Sequence, residues 1–402
     1  MGDLSSVEQE LVERASAAPM REQVILWSQM NSGSGNLPGL AALAQLLADD
    51  FSALPGTIRL VDPAPVSAID AGGRTQELAH GRHLHLTVRP AAPVQLLLTG
   101  HMDTVYAVDH PFQSLRWLDD DRLNGPGVAD MKGGITIMLA GLRAIEASPL
   151  RGRIGYEVVI NSDEEVGSAS SAALLAAAAR GKVAALTYEP SALPDGTLAG
   201  ARPGSGNFSF RVAGRSAHAG RNPEEGRNAL TAAADLALRL EALRRDGLSV
   251  NPARIDGGGP NNVVPDLAIL RVNLRPRDAA LQVAAECSIA EAVAAVAAAR
   301  DVVITTHGGF GRPPKPLDPG AERLFALVQA AGADLGQAIS RKDSGGVCDG
   351  NNIAACGVPV VDTMGVRGGL IHSSEEYLIA SSLPERAALS ALVLARLAAR
   401  AA

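Results

Sequence analysis

Two histidines and four acidic residues in this chain stand where apolar runs end, and their side chains have the chemistry of a metal centre. They are His101 in LLLTGHMDTVY, Asp130 in GPGVADMKGG, Glu164 and Glu165 in VVINSDEEVGS, Glu189 in AALTYEP, and His372 in GGLIHSSEEY. Imidazole nitrogens and carboxylate oxygens together suit zinc, with cobalt or manganese as substitutes. Two divalent ions bring four positive charges against three negative ones from Asp130, Glu165 and Glu189. The charge left over is what a bridging hydroxide would neutralise. Such a pair, roughly 3.5–4 Å apart, acidifies bound water and clamps a tetrahedral intermediate, so the set implies a metal-dependent hydrolase.

Neighbouring residues of an extended chain point apart, so Glu164 and Glu165 are expected to divide the work. One is a ligand. The other, taken as Glu164, deprotonates the water and hands the proton to a leaving amine. His101 and Asp103 are two apart, on one side of the chain, so the acid can accept the free ring N–H and raise the basicity of the imidazole. Asp130 by itself reads as a helix cap, but its flanking glycines also permit close backbone approach to an ion.

These residues need strands to carry them. Runs such as residues 94–98 and 158–160 read as buried parallel strands, whose carboxyl ends are where open α/β sheets build their sites. Further landmarks are strands near 154–160 and 184–188, with helices near 134–147 and 170–180. Residues 4–30 read as one amphipathic helix. From about residue 203 to 311 the pattern changes to strand 207–212, helix 228–245, strands 250–255 and 267–274, helix 279–299 and strand 302–306. That order, β-α-β-β-α-β, is the split βαβ or ferredoxin-like unit. The first pattern then resumes with a helix near 321–331, a strand at 358–361 and a helix near 384–401. The expected fold is α/β: a mixed, mostly parallel sheet flanked by helices, with an inserted α+β domain. The boundaries are 1–202 and 312–402 for the interrupted domain and 203–311 for the insertion.

Composition excludes other classes. At 402 residues the chain is long enough for roughly two to three domains. Apolar residues make up 47% and aromatics 3%, so the cores are aliphatic. A net charge of −7 without a basic cluster argues against a nucleic-acid partner. No run approaches the ~18 continuous apolar residues of a membrane span. The start, MGDLSSVEQELVERASA, is acidic and lacks an apolar core, so a secretory signal is not expected and the chain is placed in the cytoplasm. Cys287, Cys348 and Cys356 form no CxxC pair and suggest neither a thiolate metal site nor a disulfide framework.

Taken in order, GHMDTVY, GPGVADMKGG, DEEVGS, YEP, GRSAHAG and IHSSEEY resemble the dinuclear zinc metallopeptidase and deacylase family. That family includes glutamate carboxypeptidase, the aminoacylases, acetylornithine deacetylase and succinyl-diaminopimelate desuccinylase. The resemblance runs from about residue 96 to the end and is closest to the glutamate carboxypeptidase type, through YEPS, GRPP and GRSAHAG. It implies a zinc aminopeptidase-like fold, with His101 and Glu189 on one zinc, Glu165 and His372 on the other, and Asp130 bridging them across a cis Asp130–Met131 peptide. It also implies Glu164 as general acid/base and Asp103 as the residue that orients His101. The insertion becomes lid and dimer interface, and His218 reaches the active site of a neighbouring subunit in a homodimer. Asn262 in NNVVP and Arg275 become substrate contacts, and Arg312 in GRPP binds a substrate carboxylate through its guanidinium fork. The implied substrate is a small N-acyl amino acid or short peptide, cleaved at the amide to a C-terminal amino acid. An N-acyl-amino-acid deacylase or dipeptidase would use the same catalytic residues.

Two positions depart from the family pattern. Asn273 stands where relatives often carry Asp, and Cys348 where Ser or Thr is usual. A catalytically silent relative is disfavoured because every ligand and Glu164 are present. A two-metal phosphoesterase is disfavoured because Arg275 and Arg312 are the only basic residues available as a phosphate clamp.

Overall fold

The computed structural model describes residues 4–399. Its six-stranded sheet runs in the order Thr57–Val61, His83–Val88, Ile154–Asn161, Val94–His101, Ala184–Thr187, Val360–Val361. The last three junctions are parallel and the first two antiparallel, so the sheet is mixed and mostly parallel. Strand Val94–His101 lies in the middle and is buried at all but one position, because both of its faces are covered. Alternation then sorts its side chains. Leu96 and Leu98 enter the large core with helices Gly133–Glu146 and Ser382–Ala399, while Leu97 packs with Leu175, Ala178 and Ile353 on the other face.

Two sequence readings need correction here. Residues 4–30 form two helices, Ser6–Ser16 and Met20–Ser28, because Pro19 has no N–H and its ring obstructs the preceding turn. The strand expected at 358–361 pairs only at Val360 and Val361.

Residues 205–312 form a four-stranded antiparallel sheet in the order Leu248–Gly257, Leu267–Pro276, Ser205–Ala213, Val303–Arg312. Helices Ala229–Glu241 and Ala279–Arg300 pack on it around Phe210, Leu236, Leu270 and Ile289. This is the ferredoxin-like arrangement read from the sequence. The second helix is long and apolar enough to cross a membrane by composition, but its apolar character is mostly alanine and it also carries Glu286 and Glu291. The strand expected at 302–306 continues to Arg312, and this extension delivers that arginine to the central sheet.

A small sheet of Arg116–Trp117, Arg122–Asn124, Tyr377–Ile379 and Gly368–Gly369 was not legible in the sequence. Its strands are two or three residues long, too short to show a period. It matters because it carries the segments flanking His372 and Asp130.

Candidate metal centre

Three adjacent parallel strands deliver most of the site from their carboxyl ends. His101 closes Val94–His101, Glu165 sits in the 3-10 turn Glu164–Val166 after Ile154–Asn161, and Glu189 follows Ala184–Thr187. Asp130 lies in the irregular turn Val128–Lys132, and its peptide bond to Met131 is cis. Helix Gly133–Glu146 begins just beyond. A side chain at Gly134 would meet the Tyr188 carbonyl at 1.9 Å, so glycine lets this helix start directly against the strand that leads to Glu189. His372 comes from a loop with backbone φ of 62° and remains half-exposed.

The decisive feature is how Asp130 is shared. His101 Nε2 lies 3.0 Å from Asp130 Oδ1 and 3.7 Å from Glu189 Oε2. His372 Nε2 lies 3.2 Å from Asp130 Oδ2 and 3.1 Å from Glu165 Oε2. The other four donors thus divide into two pairs, one on each oxygen of the same aspartate. Donor atoms of His101, Asp130 and Glu165 all fall within 4.8 Å of one another, as do those of His101, Glu164 and Glu189. Glu164 differs from the other acids in being paired with a guanidinium, Arg312 Nη2 at 2.7 Å.

Asp103 meets the His101 ring mainly through its backbone. Ring Nδ1 of His101 lies 3.0 Å from the Asp103 backbone carbonyl and 3.5 Å from its carboxylate. The carboxylate instead accepts the backbone N–H groups of Glu164 and Glu165 at 3.1 and 3.2 Å, and the Ser34 hydroxyl at 2.7 Å. One residue therefore fixes the ring orientation through its main chain and the two glutamates through its side chain.

Glu376 was missed in the sequence. Its fully buried carboxylate accepts N–H groups from Ala129 and Asp130 at 3.0 and 3.1 Å, and the Tyr106 hydroxyl at 2.9 Å. Tyr106 also reaches the Ser373 carbonyl at 2.8 Å, so one network ties the Asp130 turn to the His372 loop. The available signal was the position of Glu376, four residues past His372 in HSSEEY.

The electrostatics suit cations. Burial pushes Glu189 up to about 8 and Glu165 up to about 7, so both need positive partners to stay ionised at neutral pH. Burial opposes ionisation of Asp130 too, but hydrogen bonds from His101 and His372 hold it well below the usual range. Hydrogen bonds to Asp130 and Glu165 raise His372 to about 11. Protons on the imidazoles thus do, in the protein alone, what divalent ions at the same two points would do better. Burial lifts Glu164 to about 8 against the pull of Arg312.

Two cavities meet at the donors. One, of about 680 Å³, extends past Glu189 toward Arg202, Ser344 and Cys348. The other, of about 930 Å³, runs toward the antiparallel sheet and is lined by Asn207, Asn273, Arg275 and Phe310. Arg275 donates to Asn273 Oδ1 at 3.1 Å and to the Gly345 carbonyl at 2.8 Å. Arg312 does not present the open fork expected of it. It is buried, and its terminal nitrogens are taken by Glu164, Asp349, Asn352 and Ser168. His218 and Asn262 are exposed and line neither cavity, so a single chain does not bring them to the donors. Cys348 is a buried thiol, and no cysteine is paired.

The chain is similar to several known proteins. Carboxypeptidase G2 of Pseudomonas sp. (strain RS-16) is 28% identical over 378 residues, 91% of this chain and 86% of that protein. A succinyl-diaminopimelate desuccinylase of Gluconobacter oxydans (strain 621H) is 29% identical over 314 residues, 72% of this chain and 78% of its own. The crystal structure of a tripeptidase from Staphylococcus aureus subsp. aureus Mu50 superposes with a TM-score of 0.73 at 23% identity, covering 98% of this chain and 99% of that one, which establishes the shared fold. Residues 97–396 match the profile of peptidase family M20/M25/M40. The chain is therefore a metallohydrolase that belongs to peptidase family M20/M25/M40.

Proposed function

We propose that this protein is a dizinc hydrolase that cleaves the amide joining an acyl group or short peptide to a C-terminal amino acid, as a carboxypeptidase of the glutamate type. The observation that carries the reading is Asp130, whose two oxygens face different imidazoles 3.0 and 3.2 Å away. His101 and Glu189 would hold one ion, Glu165 and His372 the other, with Asp130 between them. When bound, the two ions supply an acidified water and an electrophile for the amide carbonyl.

The chain's own groups do the rest. Glu164 is the acid not needed as a ligand, and it stands beside the donors. It takes the proton of the attacking water and returns it to the leaving amine. Arg312 holds that carboxylate in place, acting through Glu164 rather than on substrate. With Arg312 occupied, the free α-carboxylate of the leaving amino acid falls to Arg275 in the larger cavity. Likeness to carboxypeptidase G2 supports the glutamate-type assignment, and likeness to the desuccinylase supports an N-acyl-amino-acid deacylase as the second reading.

Turnover of N-acyl glutamate, N-acetyl ornithine and dipeptides, each with zinc, cobalt and manganese, tests the proposal. Cleavage of N-acyl glutamate with the highest kcat/KM is expected. Hydrolysis of none of these amides, or faster hydrolysis of phosphate esters, would sink it.

The exposed His218 is assigned to the oxyanion in the site of a second copy, which requires a homodimer. His218→Ala and Glu164→Gln subunits, each inactive alone, are then expected to regain about a quarter of wild-type activity when mixed and re-associated, since half the dimers carry one complete site. No recovery under conditions where subunits exchange would place His218 elsewhere.

A further inference from the structure

The cavity of about 680 Å³ holds a charge that the proposed reaction does not use. Its acidic lining consists of Asp130, Glu165 and Glu189, all donors, and Glu164. The other charged side chains lining it, apart from His372, are arginines: Arg122, half-exposed and paired with Asp119, and Arg202, which is buried. Arg202 Nε donates to Asp362 at 2.7 Å, and its Nη2 reaches the other oxygen of that carboxylate at 3.3 Å. Lys315 Nζ lies 3.1 Å from the same, fully buried Asp362. Two cations thus share one anion, so this buried group behind the wall carries a net positive charge. Cys348 beside them cannot offset it, because burial pushes its thiol well above the ordinary range and keeps it neutral.

Burying uncompensated charge is costly, so a partner is expected. The donor set is not that partner. Two divalent ions on three carboxylates would leave the centre no surplus negative charge, so the wall does not serve to balance it. Nor is Arg202 saturated. Its Nη1 donates to the Gly346 carbonyl at 3.1 Å and reaches Ser344 Oγ at 3.4 Å, but Nη2 makes one hydrogen bond for two hydrogens. Its contact loop, residues 344–347, is glycine-rich, with Gly345 and Gly346 exposed.

We propose that Arg202, backed by Lys315, makes this cavity a carboxylate-selective subsite for the acyl half of the substrate. Preferred substrates then carry a carboxylate on each side of the scissile amide: the α-carboxylate of the leaving amino acid in the larger cavity, and a side-chain or ω-carboxylate on the acyl group in this one. The placement of the two halves rests on the reading given under Proposed function.

The test compares N-succinyl and N-acetyl derivatives of one amino acid on the zinc-loaded enzyme. Wild type is expected to favour the succinyl substrate by about tenfold or more in kcat/KM, mostly through KM. In Arg202→Met, where Asp362 keeps Lys315, the ratio is expected to fall to about one. Cleavage of both substrates by wild type without a succinyl preference overturns the subsite and leaves the proposed activity standing. A second arm needs no turnover and measures glutarate and butyrate binding by calorimetry. Wild type is expected to bind glutarate about tenfold tighter than butyrate, with that advantage lost in Arg202→Met. Equal binding of the two acids by wild type overturns the proposal even if the variant fails to fold. If neither amide is cleaved but glutarate keeps its advantage, the activity fails while the subsite survives.

Discussion

Glu164→Gln is expected to lower kcat by about a thousandfold or more while the protein still binds two zinc ions per subunit. Glutamine keeps the shape of the side chain and can still accept from Arg312 Nη2, now 2.7 Å from the carboxylate, so the local packing has no reason to collapse. It cannot take a proton from water, and that step is the one assigned to this residue. KM is expected to change little, because Glu164 is not proposed to bind the ground-state substrate. Two measurements decide the case: single-turnover rates and metal content by atomic absorption. Loss of one zinc with the glutamine variant would show that Glu164 is the ligand and that Glu165 carries the proton. That outcome is a real alternative in the geometry, since Glu164 also lies within ligand reach of His101 and Glu189.

The donor set was legible in the sequence because each member ends an apolar run or borders a glycine-rich turn, and the parallel sheet sends all such ends to one edge. The ferredoxin-like order was legible for the same kind of reason, since period-2 and period-3.6 segments alternate cleanly between residues 205 and 312. What stayed hidden depends on contacts between distant segments. Glu376 supports the Asp130 turn from 246 residues away. Arg312 looked like an open guanidinium because nothing in GRPP reveals that a strand extension buries it against Glu164 and Asp349. Arg202, Lys315 and Asp362 carry no recognisable motif, and their sharing of one carboxylate is a fact of packing alone. The N-terminal segment failed as one helix at a visible residue, Pro19, whose local effect outweighed an otherwise continuous amphipathic pattern.

Asp130→Asn is expected to cost both ions and nearly all activity, a larger chemical defect than its single-atom change suggests. The present carboxylate offers one oxygen to each half of the site, beside His101 and beside His372. An asparagine offers one oxygen and one NH₂, and the NH₂ cannot act as a ligand. The substitution also removes one of three negative charges that hold four positive ones. Turnover is expected to fall by at least about a thousandfold, since the two-metal clamp on water and carbonyl is lost together. Stability separates this from simple misfolding. Zinc should raise the Tm of wild type in proportion to the logarithm of its concentration over Kd, as for any ligand that binds only the native state. Without zinc the variant should still fold but melt below apo wild type, because it loses the negative charge that His101 and His372 share, and adding zinc should move its Tm far less. Two zinc ions bound with wild-type affinity in Asp130→Asn would mean that the aspartate does not bridge, and that the two halves of the site assemble independently.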